Sequence, residues 1–467
     1  MKGDFSKMTF APDKNFLRVL MQQGRVQLDA DWNEQAAILL HYMQTLATDL
    51  IGPYAGPEGS NLGFKIDKAA DKGNLSIGKG RYYVDGVLCE NNHDDVTYFK
   101  QPDYPLDAKK DALSAGVHLV YLDVWERHIT YLEDDDIREK ALNGVDTSTR
   151  SKVIWQVKTK ELPAGQTGLN AVSALKEELV LSEACLRARV KPVDAKPDAC
   201  CQHPDAKYRG AENQLYRIEI HNPGNTDGAP SFKWSRDNGA VVLPVTNIAA
   251  DVAAKTITVE LENLGRDDKS CLAVNDWVEL QDDVSVLRNT ANPLCRVYAI
   301  DPIARTVVLS GTSPITYDPR KHPLLRRWDQ KGDDVNADGI IVKSPGWLPI
   351  EAGIEIEFKL QGTPLRTGDY WLIPARTNTG EVEWPSQRDA DGNIMKDAEG
   401  NAIRAFMRPI GVEHRYAPLA IIMVAEGGNI DLSKTDPDCR CSFKPQDCKY
   451  SSEGRFGRGI DTDCNAG

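Results

Sequence analysis

The chain has 467 residues, of which 56 are basic and 69 acidic, giving a net charge of −13. At about 100–200 residues per domain, this length allows two to four domains with full cores. The acidic balance argues against nucleic acid and anionic membranes as partners, because neutralising phosphate needs clustered Lys and Arg. The longest apolar runs, such as Ala420 to Ala425, fall far short of the roughly 20 residues that span a bilayer. No apolar stretch follows Lys2, so the expectation is cytoplasmic synthesis without membrane insertion. Later release as part of an extracellular particle stays open.

Residues 1–60 read as an arm and a helix. Gly24 supplies a turn with positive φ. Asp29 or Asp31 is placed to cap the helix start, and Glu34 adds favourable charge to its first turn. The helix is predicted from Asp31 to Leu50. Ala36, Leu39, Leu40, Met43, Leu46, Ala47 and Leu50 recur at three- and four-residue spacing and form one apolar stripe. Gly52-Pro53 ends it. Leu39, Leu40, Met43, Leu46 and Leu50 are therefore the candidate assembly surface. The competing reading lays this helix on the sheet of its own domain. Asp29, Asp31 and Glu34 carry oxygen ligands suited to a hard cation, but acids at a helix start are more often caps.

The rest of the chain predicts a mainly β, multidomain protein. Strand-like runs bounded by Gly, Pro, Asp or Asn recur, among them Arg81 to Val84, Val117 to Trp125, Val153 to Val157, Ile354 to Phe358 and Leu419 to Val424. Residues 61–190 form one β domain, and a polar linker follows from Lys191 to Arg209. Residues 211–325 read as a small barrel or sandwich. Its strands are Gln214 to Ile220, Ala240 to Val245, Thr256 to Leu261, Trp277 to Gln281, Cys295 to Ile300 and Thr306 to Leu309. Residues 326–425 form a further β domain, packing with 61–190, and residues 426–467 a Cys-rich polar tail. Leu169 to Leu181 is a second helical candidate. No fixed-period repeat signals a solenoid.

Candidate chemistry is sparse. Trp234 to Gly239 gathers Ser235, Arg236 and Asp237, but without a Gly-x-Ser-x-Gly elbow or an associated His. A turn built on Asp237-Asn238-Gly239, with Phe232 and Trp234 in a core, explains it better. Asp389 to Asn393 and Asp397 to Asn401 resemble part of a calcium loop, yet the spacing with a terminal Glu is absent, so turns are the preferred reading. Cys89, Cys185, Cys271 and Cys295 sit in or beside apolar strands as buried thiols. Cys200, Cys201 and His203 in the linker, with Cys439, Cys441, Cys448 and Cys464 in the tail, are ligand types that zinc selects. Their spacing fits a zinc site, disulfides or unpaired thiols equally. Trp328, Trp347, Trp371 and Trp384, with Glu381 and Glu383 nearby, support an alternative reading as a carbohydrate-binding or carbohydrate-processing protein. No second carboxylate is placed across a scissile bond, however.

Met21 to Gln35, Asp123 to His128, Glu212 to Arg217, Phe232 to Gly239, Arg326 to Asp329, Arg366 to Arg376 and Glu383 to Pro385 carry a family resemblance over nearly the whole chain. The chain resembles an uncharacterised, DUF6519-like family encoded alongside phage-tail-like contractile injection systems. Gly24-Arg25-Val26 followed by Gly80 to Gly86 is also similar to the start of some tail-fibre proteins, where a short N-terminal module anchors a trimeric fibre. These resemblances imply a structural component at a baseplate, a fibre base or the periphery of a particle. They imply association with tail or baseplate proteins and with copies of the same chain, a trimer being favoured, and no catalytic activity.

Overall fold

The computed structural model describes residues 1–163, 175, 182–192, 207–224, 228–267, 269–362, 365–432 and 438–444. Its β units are nested in the chain, each outer one opened before and closed after the one inside it. An extended arm leads into helix α1, Asp29–Ile51. The first unit then begins with β1 (Tyr54–Pro57), β2 (Ile66–Lys68), β3 (Leu75–Ile77), β4 (Gly80–Val84), β5 (Val87–Asn91), β6 (Gly116–Ile129) and β7 (Arg150–Leu162). The second begins with β8 (Cys185–Val190), β9 (Gln214–Asn222) and β10 (Ser231–Ser235). The innermost holds β11 (Val242–Asp251), β12 (Thr256–Leu261), β13 (Trp277–Gln281), a five-residue helix α2 (Asp283–Leu287), β14 (Leu294–Asp301), β15 (Thr306–Ser310) and β16 (Leu324–Trp328). The second unit resumes with β17 (Ile340–Ile341), β18 (Leu348–Pro349), β19 (Ile354–Lys359), β20 (Tyr370–Arg376) and β21 (Glu381–Val382). The first closes with β22 (Arg415–Val424), β23 (Ile430–Asp431) and β24 (Ser442–Phe443).

Each unit has its own core. In the first, the sheet β23-β22-β6-β7 faces the sheet β24-β1-β4-β5 and the β2-β3 hairpin. Phe64, Tyr82, Val120, Leu122, Trp155, Leu419 and Ile422 fill the space between. The run Ala417 to Val424 is apolar at consecutive positions because β22 lies inside its sheet with both faces covered. The second unit packs β17-β10-β9-β20-β21 on β18-β19-β8. Its core includes Tyr216, Phe232, Trp234, Phe358 and Trp371.

The third unit is a closed barrel in the order β11-β12-β15-β14-β13-β16. Five of its strands match predicted runs. The sixth does not: Gln214 to Ile220 is β9 of the second unit, and β16 closes the barrel instead. Two barrel hairpins share one turn design. Asp251 and Asp301 each accept the amide of the residue three ahead, Ala254 and Ala304, and Lys255 and Arg305 take matching left-handed conformations at φ 51° and 53°. The helical candidate Leu169 to Leu181 lies outside the described residues except Leu175, which is buried beside Leu119, Leu162 and Ile421.

Helix α1 is confirmed within two residues of its predicted ends, but its cap and its faces differ from expectation. The N-cap is Leu28, with no side-chain cap bond, because Asp29 instead accepts the Ser6 amide at 2.9 Å. Only Ala30 and Ile38 are buried along its length, so burial does not divide it into a clear apolar and a clear polar face.

Candidate assembly surface and its anchor

The covered positions of α1 are Ala30 and Ile38, with Ala37, Gln44, Ala47 and Thr48 half-buried beside them. Gly86, at the β4–β5 turn, lets the helix approach: a Cβ there would lie 2.1 Å from the Gln44 carbonyl oxygen, and its φ is +75°. The arm adds a second layer of ties. Thr9 donates to Glu34, the Val19 amide donates to Gln35 at 2.8 Å, and Phe10 meets His41 at 5.6 Å. The acids at the helix start therefore hold the arm. Large apolar side chains face outward. Trp32, Ala36, Leu39, Met43, Leu46 and Leu50 are all exposed, with Trp32 at 79 %, Met43 at 66 % and Leu50 at 77 %. Their spacing runs four, three, four, three, four, the alternation of a coiled-coil seam. Leu40 and Tyr42 flank it, also exposed. Trp32, which the periodicity had not included, begins the seam.

The arm is rooted in a cleft of about 1410 Å³ where the three units meet. Lys2 Nζ lies 2.8 Å from Glu219 and 5.6 Å from the ring centre of Trp328. Glu219 also pairs with Arg217 at 2.6 Å and Lys233 at 3.5 Å, and Lys233 pairs with Glu279 at 2.6 Å. Asn238 donates to the carbonyls of Met1 and Gly3, and Arg217 to that of Met1. Trp328 donates its indole N–H to Glu279 at 3.0 Å, and Arg326 donates to the Gly239 carbonyl. Four cations thus face two buried carboxylates. Burial alone would raise the Glu219 carboxyl, but Lys2, Arg217 and Lys233 hold it well below the usual range. Burial pulls the Lys2 ammonium down to about 8 against the attraction of Glu219. Burial also lowers His221 to about 4, and its Nδ1 has no hydrogen-bond partner.

The alternation of β9 generates this cluster. Tyr216, Ile218 and Ile220 enter the core of the second unit, which turns Arg217, Glu219 and His221 toward the barrel. Lys233, between Phe232 and Trp234 on β10, is directed there in the same way.

The other sequence candidates have structural partners. Asn238 and Gly239 take the expected left-handed conformations, at φ 51° and 66°, but the turn leads from β10 into the barrel and is not a hairpin. Ser235 and the Arg236 amide bond Asp329, Arg236 forks onto Glu351 at 2.9 and 2.8 Å, and Asp237 pairs with Lys269. Asp389 and Asp397 close successive turns by accepting the amides of Asn393 and Asn401. Trp328, Trp371 and Trp384 are buried, Trp347 is covered by Arg187 and Arg189, and Glu381 and Glu383 pair with Arg404 and Arg376. Burial raises the thiols of Cys89 to about 12 and Cys295 to about 11. Cys439 is half-buried beside Leu119 and Ile421, and Cys441 is exposed. Cys200, Cys201, His203, Cys448 and Cys464 lie outside the described residues. Among the described residues, no three His, Cys, Asp or Glu side chains are grouped to hold a metal, and no helix is long and apolar enough to cross a membrane.

Residues 1–180 and 178–450 match the Family of unknown function (DUF6519). The chain belongs to this family. The match takes in both halves of every nested unit and the arm with its helix. No curated protein and no solved structure matches the chain.

Proposed function

We propose that this chain is a non-catalytic structural component of a phage-tail-like contractile injection particle, at its baseplate, a fibre base or its periphery. It assembles with copies of itself, as a trimer, through the N-terminal helix. One observation carries the self-association: the four-three spaced seam of Trp32, Ala36, Leu39, Met43, Leu46 and Leu50 stands in water on a helix whose other side is already seated. A seam of this spacing is matched by a second helix of the same kind, whose side chains interlock with it. The buried root of the arm supports a mechanical role, since Lys2 meets Glu219 of the second unit and Trp328 of the barrel, and Phe5 meets His128 of the first. The placement in an injection particle rests on the family resemblance.

The test is Leu39→Asp combined with Met43→Asp. Both side chains are exposed in the single chain, so the β units keep their fold. At a helix–helix seam each charge is buried without a partner, at a cost of several kcal/mol in order of magnitude. The variant is expected to be missing from particles purified from cells that also make the other tail proteins, while the wild-type chain is retained. Retention of the variant at wild-type amounts overturns the role of the seam. Unfolding of the β units places the helix in the protein's own core.

A further inference from the structure

The arm roots beside β9 and β10, and a different wall of the same cleft is formed by β6 and β7. Asp123 stands opposite Gln156 and Trp125 opposite Ile154, so Asp123, Trp125 and Gln156 share one face of the sheet. Trp125 is 6 % exposed and Gln156 is fully buried, yet both line the cleft. Gln156 donates its amide hydrogens to the carbonyls of Asp103 and Leu287 at 2.8 and 2.9 Å. Its Oε1 has no hydrogen-bond partner among the described residues, and neither has the indole Nε1–H of Trp125. One buried donor and one buried acceptor are thus left unmet at diagonal positions of one strand pair. Such positions lie about 7–8 Å apart or less. An unmet buried polar group costs stability, and two of them on one wall call for a ligand that serves both.

The surroundings narrow the class of that ligand. Asp123 takes Lys158 at 2.6 Å and His414 at 2.7 Å, Arg127 takes Asp283 at 2.5 Å, and Arg415 takes Glu413 at 3.1 Å. Each of these cations is already matched by an acid, so a charged ligand meets no unpaired countercharge among them. Apolar area comes from the Trp125 ring, packed with Ile154 and Leu287, and from the His414 ring 5.7 Å away. Lys158 and His414 are 24 and 19 % exposed, so the wall reaches water at that edge. We infer that this wall of the cleft binds a neutral saccharide through Trp125 and Gln156. A hydroxyl both donates and accepts, so neighbouring hydroxyls of one sugar ring satisfy the indole N–H and the amide oxygen together. The C–H face of the ring lies against the aromatic side chains. The inference goes beyond the structural role proposed above and does not depend on it.

The full chain is titrated with maltose, cellobiose and di-N-acetylchitobiose while its indole N–H resonances are followed by NMR. Trp125→Phe deletes the N–H, keeps an aromatic ring and identifies the Trp125 signal. At least one of the three sugars is expected to shift that signal with a Kd of about 1 mM or tighter. Calorimetry is expected to show that affinity fall at least tenfold in Trp125→Phe. Glucose 6-phosphate and N-acetylneuraminic acid, which are charged, are expected to bind at least tenfold more weakly than the neutral sugar. No shift with any of the three, an affinity that Trp125→Phe leaves intact, or tighter binding of the charged sugars overturns the inference. Should Trp125→Phe unfold the chain, hydrogen exchange of the wild type gives the independent reading. The same sugar then slows exchange in residues 287–291 and 410–415, which border the wall, and unchanged exchange there overturns the site. Binding is expected of a monomer and of an oligomer alike, so the result stands apart from self-association through α1.

Discussion

Replacing Glu219 by Gln removes the carboxylate that faces Lys2 at 2.8 Å, Arg217 at 2.6 Å and Lys233 at 3.5 Å. Lys233 keeps Glu279, but Lys2 and Arg217 lose their acid. Uncompensated buried charge of this kind costs about 3–5 kcal/mol. Lys2→Met breaks the same 2.8 Å pair from the other side, with a different result. Glu219 keeps Arg217 and Lys233, no orphan charge remains, and the group removed is one that burial already penalises. Its cost is about 1 kcal/mol, the scale of one hydrogen bond. Nested units need not unfold together, so the readout is local hydrogen exchange and not a single melting transition. Glu219→Gln is expected to raise exchange along β9 and β10 by at least about 100-fold, corresponding to about 3 kcal/mol. Lys2→Met is expected to affect mainly residues 1–10. Equal effects from the two substitutions, or a larger one from Lys2→Met, would refute the charge count of four cations to two carboxylates.

Two further outcomes follow from the same geometry. His221 has a folded pKa of about 4, against 6.5 for the free side chain. The unfolded chain therefore binds the proton first as pH falls. The stability from burying neutral His221 is fully present above about pH 6.5 and is lost progressively toward pH 4, by about 3 kcal/mol at most. Hydrogen-exchange protection along β9 and β10 in wild type and His221→Phe should diverge as pH falls across this range, and parallel profiles would refute the assignment. Gly86→Ala places a Cβ against the Gln44 carbonyl at a left-handed φ, for about 1–3 kcal/mol. It should lift the C-terminal half of α1 and raise exchange there while leaving the barrel untouched. Unchanged exchange over residues 44–51 would remove Gly86 from the helix seat.

Local signals in the sequence suffice where a single period decides the element. Helix α1 follows from its three- and four-residue spacing and its Gly52-Pro53 stop, and β12 from its strict alternation. The long strands β6 and β7 extend beyond the runs the sequence marks. Buried, ion-paired Arg127, with Lys152, Lys158 and Lys160, interrupts the apolar runs without interrupting the strands. The nesting is not legible, since β8 meets β19 and β6 meets β22 across well over a hundred residues, and no local pattern encodes such pairings. The anchor is not legible in the sequence for a related reason. Lys2, Arg217 and Lys233 read as solvated charges until three units close over them. A faint signal existed in Arg217, Glu219 and His221, which alternate with core residues, and in Lys233 between two aromatic residues. The stripe Leu39, Leu40, Met43, Leu46 and Leu50 was visible from the start. That it faces away from its own protein depends on the seat at Gly86, which spacing alone does not show.

The most direct test of self-association through α1 is the mass of the purified chain in solution, measured by sedimentation across micromolar concentrations. One chain has a mass of 51.7 kDa. Self-association through α1 predicts a species of three chains, dissociated to one by Leu39→Asp with Met43→Asp. A wild-type chain that sediments at 51.7 kDa throughout that range would contradict it.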